Sequence, residues 1–159
     1  MGFKTSNSSA AGGRKAQRAY LHYLANHPKT AHNIAFKLAQ HFVSDTPPKA
    51  LVTRLATTYR KHRTAIGPVL RALFESPEFA ASTGEKLRRP MEHVVATTRV
   101  LGIKPGPDLK GLTDLTWVVN GMGHAPLGWP MPNGYSMEAT DWQSPAAALS
   151  QFNATAALV

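Results

Sequence analysis

Apolar positions along the chain recur at intervals of three and four residues in several short windows, the spacing that lines one face of an α-helix. Proline marks where several windows open, because the first helical turn has no use for its missing N–H. His27-Pro28 introduces Ala31, Ile34, Ala35, Leu38 and Phe42, the clearest helix. Thr46-Pro47 opens another, with Thr46 as its cap, Leu51, Val52, Leu55 and Tyr59 as its stripe, and Lys49, Arg54, Arg60 and Lys61 on the opposite face. After the basic link Lys61-His62-Arg63, Thr64 is placed to cap a third, with Ile66, Val69, Leu70, Leu73 and Phe74 directed inward. Ser76-Pro77 ends it and starts a short turn. Pro90 heads a helix with Met91, Val94, Val95 and Leu101 on one side, stopped by Gly102 and the Pro105-Gly106-Pro107 breaker. The next begins near Asp108, carries Leu112, Leu115, Val118, Val119 and Met122, and ends at Gly121 or Gly123.

A helix from Arg14 to about Ala25, introduced by Gly12-Gly13, precedes these, and Ser144-Pro145 opens a final Ala-rich one with Leu149, Phe152 and Ala156. Between the last two lies His124 to Gln143, rich in Pro and Gly, whose Leu127, Trp129, Tyr135 and Trp142 argue for packing over disorder. No period-two run is long enough for a sheet, and no repeat of fixed period occurs. The expected fold is all-α: an irregular bundle of about six to seven short helices with a long Pro/Gly/aromatic-rich loop before the last. Residues 1–13 read as a flexible N-terminal segment and 14–159 as one helical domain.

Composition narrows the functional classes. A length of 159 residues suits a single domain, and 43% hydrophobic residues suit a globular chain. The absence of cysteine excludes disulfides, thiolate zinc sites, iron–sulfur clusters and a cysteine nucleophile. No apolar run reaches the length of a membrane span, and MGFKTSNSSAAGG lacks the apolar stretch of a secretory signal. The compartment therefore reads as cytoplasmic by default, and as exported if a larger parent protein is. The net charge of +9 is segregated: Met1 to Arg71 hold 12 basic residues and one acid, Asp45. Such a field attracts nucleic acid, anionic lipid or an acidic protein surface, with Arg54, Arg60, Lys61 and Arg63 as contact candidates on phosphates. A solvated cationic face is the plainer reading.

The order of short motifs resembles a known family. His27-Pro28-Lys29-Thr30-Ala31, Ile34-Ala35-Phe36-Lys37-Leu38, Phe42-Val43-Ser44-Asp45 and Pro47-Pro48 come first. They are followed by Leu73-Phe74-Glu75-Ser76-Pro77-Glu78-Phe79, Pro90-Met91-Glu92, Met122-Gly123, Trp129-Pro130-Met131-Pro132-Asn133-Gly134-Tyr135 and Trp142. Together, from about Arg14 onward, they resemble the bacterial family called domain of unknown function 1800. The resemblance implies the C-terminal part of a larger protein without an established activity, whose missing N-terminal portion, or another protein, is the expected partner. Two departures stand out: His124 where the family more often has glutamine, and Gln151-Phe152-Asn153 where an Arg-Trp-Asn-like segment is common.

Polar residues add a few candidates. His22, His27, His32 and His41 lie on two neighbouring helices, but spacings of five and nine do not place two ligands on one face, so no metal and no cofactor is expected. His27 and Lys37 rank first as catalytic candidates because they occupy motif positions, with His27 otherwise a helix cap and Lys37 a surface lysine. Glu92 beside His93 suggests an acid–base pair, although adjacent helical residues face apart and Glu92 suits the positive end of a helix dipole. Trp129, Tyr135, Asp141 and Trp142 are the ligand-binding candidates, for a sugar ring or a peptide. Hydrolase elbows, phosphate loops and zinc-protease motifs are missing. Three readings follow: a non-catalytic interaction module, part of an enzyme (hydrolytic in one version) completed elsewhere, and a polyanion binder.

Overall fold

The computed structural model describes residues 2–6, 9–104, 106–108 and 110–158. Among them are eight α-helices, one 3-10 turn and no strand, so the fold is all-α. Pro105 of the expected breaker lies outside the described residues. The chain divides into two compact units, Met1–Glu85 and Lys86–Val159.

The first unit contains α1 (Ala10–Ala25), α2 (Pro28–Phe42), α3 (Lys49–Lys61), α4 (Ile66–Phe74) and α5 (Pro77–Ala81). Its core is the α2–α3 contact. Ala31, Ala35 and Ala39 form a buried stripe of small side chains on α2, and Leu51, Val52, Leu55 and Tyr59 of α3 fill the space against them. Val69 and Leu73 of α4 complete this core. Pairing alanines with larger residues brings the two helices close without leaving a void. Each wholly buried leucine contributes roughly 2 kcal/mol by removal from water. Tyr59 also donates its hydroxyl to the Ala25 carbonyl (3.1 Å), one of the carbonyls that α1 cannot satisfy internally.

Local chemistry sets the helix limits, and several differ from the sequence expectation. α1 begins four residues before Arg14 because Ser9 accepts the Gly12 N–H (3.1 Å), leaving both glycines inside the helix. α3 starts at Lys49 rather than Thr46, with Pro48 at the cap and no side-chain cap bond. Thr64 does not cap α4. α3 instead finishes through Arg63 N–H to Arg60 carbonyl (3.2 Å) and Thr64 N–H to Tyr59 carbonyl (2.9 Å), which places Arg63 and Thr64 at φ 49° and 70°. Ala65 becomes the cap of α4, whose Ile66 and Phe74 are exposed rather than buried. Ser76 is buried, donates to the Leu73 carbonyl (2.6 Å) and accepts the Phe79 N–H (3.2 Å). The expected turn there continues as α5, which makes eight α-helices instead of six to seven.

The second unit contains α6 (Pro90–Val100), α7 (Lys110–Gly121), the 3-10 turn Ala139–Asp141 and α8 (Pro145–Leu158). Its interior is sparse: Pro90, Val94, Val119, His124 and Ala154 are its only buried residues among those described. The sequence stripes mislead here. Met91 and Val95 on α6, Leu101 at its C-cap, Leu112 on α7, and Leu149 and Phe152 on α8 are all exposed. On α8, Ala154 faces the interior instead. α8 is apolar nearly all round, so periodicity could not select its inner face. No helix is long and apolar enough to cross a membrane among the described residues.

Candidate functional site

In the second unit the polar and aromatic side chains converge where the loop after α7 meets the start of α6. Glycine directs this convergence. α7 ends with the Gly123 N–H on the Asn120 carbonyl (2.9 Å) and the His124 N–H on the Val119 carbonyl (3.1 Å). This finish requires a left-handed residue, and Gly123 supplies it at φ 75°. The next residue, His124, is thereby turned inward and is 6% exposed. Its Nδ1 accepts the Met91 N–H (3.2 Å), so an imidazole from outside α6 satisfies one of that helix's free amides. Burial and the nearby Arg89 cation lower the pKa of His124 against the opposing pull of Glu92, which favours the neutral ring. With Nδ1 accepting, the single proton belongs on Nε2.

Glu92 completes the same helix start. Its carboxylate accepts the Arg89 N–H (3.1 Å) and binds the Arg89 guanidinium (2.5 Å), in the position expected for an acid in the first turn. Arg89 also reaches the Ser136 carbonyl (3.4 Å), and Lys86 donates to the Met137 carbonyl (2.9 Å), so two cations clamp the far end of the loop. Trp142 Nε1 donates to that Ser136 carbonyl as well (3.1 Å). The rings pack in sequence: Trp129 lies 5.0 Å from Tyr135, Tyr135 lies 4.6 Å from His124, and His124 lies 4.9 Å from Trp142. Tyr135 donates its hydroxyl to the Ala125 carbonyl (3.0 Å), and Trp129 Nε1 donates to Asn133 Oδ1 (2.9 Å). Gly128 sits inside this arrangement: a Cβ there would stand 2.9 Å from Ala125 Cβ and 3.0 Å from the Tyr135 hydroxyl.

The sequence candidates distribute unevenly over this geometry. Tyr135 and Trp142 pack on His124, with Trp129 against Tyr135, whereas Asp141 stands exposed on the 3-10 turn. Glu92 belongs to the cluster, but its neighbour His93 turns elsewhere, to Thr155 Oγ1 on α8 (2.8 Å). His27 is the cap of α2, where its Nδ1 accepts the Lys29 N–H (3.2 Å), and Lys37 is exposed on the same helix. Ten residues of helix separate those two by about 15 Å, too far for one reacting group to touch both. Among the contact candidates, Arg54 is paired with Glu78 (2.7 Å), whose carboxyl that hydrogen bond holds below its ordinary pKa. Arg60, Lys61 and Arg63 are exposed at the end of α3, where cations also oppose the helix dipole. Among the described residues no three His, Asp or Glu side chains gather as a metal site.

Sequence reasoning missed the clamp made by Lys86, Arg89 and His124. Met122-Gly123 was a readable signal for His124, since a glycine ending a helix fixes the direction of the residue after it. Nothing in the spacing signals Lys86 or Arg89, whose partners lie about fifty residues away in the chain.

The whole chain, residues 1–159, matches the family described as Protein of unknown function (DUF1800), and the protein belongs to that family. The match includes the first thirteen residues, ahead of the motifs that begin near Arg14. No curated protein and no solved structure matches it.

Proposed function

We propose that this protein is a non-catalytic helical interaction module, which uses apolar faces of its second unit to pack against a protein partner, either another portion of a larger family protein or a separate chain. One observation carries the reading: the apolar surface of that unit is largely uncovered. Val100 is 85% exposed, Phe152 71%, Trp117 70%, Met131 62% and Leu149 60%, against five buried residues. Large aromatic and aliphatic side chains left in water at this density mark an association surface. The polar cluster supports the same reading, since His124 Nδ1, Glu92 and Arg89 all take part in capping or clamping contacts.

The test is the state of the isolated chain. It is expected to bind a hydrophobic dye and to self-associate, and W117S/F152S is expected to lower both while leaving the thermal midpoint within a few degrees. A strictly monomeric chain that binds no dye refutes the proposal.

A further inference from the structure

α1 differs from every other long helix of the first unit in burying nothing. None of its sixteen residues is buried, although α2 and α3 each bury three or more. Tyr20 is 47% exposed, Leu21 57% and Leu24 38%. At about 100° per residue these three span an arc of about 100°. The next arc of similar width holds Arg14, Arg18, Lys15 and His22, so the apolar and cationic edges adjoin where Leu21 meets Arg14. Arg14, Lys15 and Arg18 line a shallow hollow with Ala11. Phe3 packs on Tyr20 and Tyr23 with ring separations of 5.3 and 5.5 Å, which adds aromatic area near the apolar arc. No acidic residue precedes Asp45.

We propose that α1 lies on an anionic phospholipid surface, with Arg14, Lys15 and Arg18 on headgroup phosphates and Tyr20, Leu21 and Leu24 at the acyl boundary. The charge pattern selects an anionic partner, because forty-four residues without a carboxylate repel a cationic surface and offer an acidic one no competitor. The adjoining leucines select lipid over nucleic acid, since aliphatic side chains gain from an acyl boundary and nothing from a phosphate backbone. Tyrosine and long cationic side chains suit the same depth, with apolar stems inward and polar ends at the headgroups. This inference stands on the first unit alone and does not depend on the interaction reading of the second.

The experiment is flotation of the full chain with phosphatidylcholine vesicles, with and without phosphatidylglycerol, at low and high salt. Binding is expected only with phosphatidylglycerol, and it weakens as salt screens the surface. R14Q/R18Q is expected to bind about 25-fold more weakly, from about fivefold per cation. L21S/L24S is expected to lose at least about tenfold through the apolar area alone. R60Q/K61Q removes the same charge from α3 and stays within a factor of about two. Inorganic phosphate at matched ionic strength leaves binding unchanged. The proposal is overturned by no flotation on anionic vesicles, by L21S/L24S floating as the parent does, or by R60Q/K61Q losing as much as R14Q/R18Q. Retention of duplex DNA in preference to vesicles, indifferent to the leucines, assigns the face to nucleic acid and also overturns it.

Discussion

Replacing His124 separates the two jobs its ring performs. His124→Ala removes the acceptor of the Met91 N–H, and a partly buried amide left without a partner costs about 1–3 kcal/mol. It also removes two ring contacts, at 4.6 and 4.9 Å, each contributing about 0.5–1.5 kcal/mol. The expected loss is therefore about 2–6 kcal/mol, more than most single substitutions produce. His124→Gln keeps an acceptor and loses the ring, and His124→Phe does the reverse, so each should retain about half of the difference. Unfolding is followed by circular dichroism for the helices and by tryptophan fluorescence for the loop, where Trp129 and Trp142 sit. The pH dependence gives an independent reading. The folded pKa of His124 lies below its ordinary value near 6.5, so the unfolded chain takes up the proton first as pH falls. Its contribution is complete above about pH 6.5 and is lost as pH drops through the folded value, a slope that His124→Gln abolishes. Glu78, also lowered, acts in a separate window below about pH 4.5. If His124→Gln unfolds with the alanine variant and keeps the parental slope between about pH 7 and 5, the capping argument fails.

Three further substitutions test neighbouring parts of the reasoning. Gly128→Ala pushes a methyl group against Ala125 and the Tyr135 hydroxyl and should destabilise the loop by about 1–3 kcal/mol, seen as faster proteolytic nicking between His124 and Gln143; unchanged resistance would contradict the tight approach. Tyr59→Phe removes only the bond to the Ala25 carbonyl and should cost about 1 kcal/mol in urea unfolding, with the slope of the transition unchanged. Thr64→Gly relieves a β-branched residue held at φ 70° and should raise the thermal midpoint, and a lower midpoint would show that no strain is stored there.

What could be read from the chain follows from the range of the interactions involved. His27-Pro28 and Ser144-Pro145 mark helix starts because cap and proline act within three residues, and both helices start where the pattern places them. Glu92 was readable as a first-turn acid for the same reason. Thr64 misled because the same residue type suits a helix start, while the unfinished carbonyl of Tyr59 had first claim on its amide. In the first unit, buried Leu51, Leu55 and Tyr59 follow their stripe because one face of α3 is polar. α8 has no such contrast, and its Leu149 and Phe152 turn outward. Of the candidate site, the loop aromatics were visible as a group, but the residue they surround was noted only as a departure from the family's usual glutamine. The clamp by Lys86 and Arg89 is a product of the fold and has no local signature.

The finish of α7 gives the second unit a length requirement as well as a composition. His124 stands at the third residue past the helix, and one residue added to α7 rotates everything after it by about 100° and advances it about 1.5 Å. That displacement carries the imidazole away from the Met91 amide while leaving every amino acid of the loop in place. The count of residues between the helix start and Gly123 is thus as much a determinant of the loop's anchorage as the identity of His124. Insertions and deletions in α7, even of alanine on its exposed side, should be tolerated far less readily than substitutions there, so that the spacing from Lys110 to Gly123 acts as a ruler for the loop.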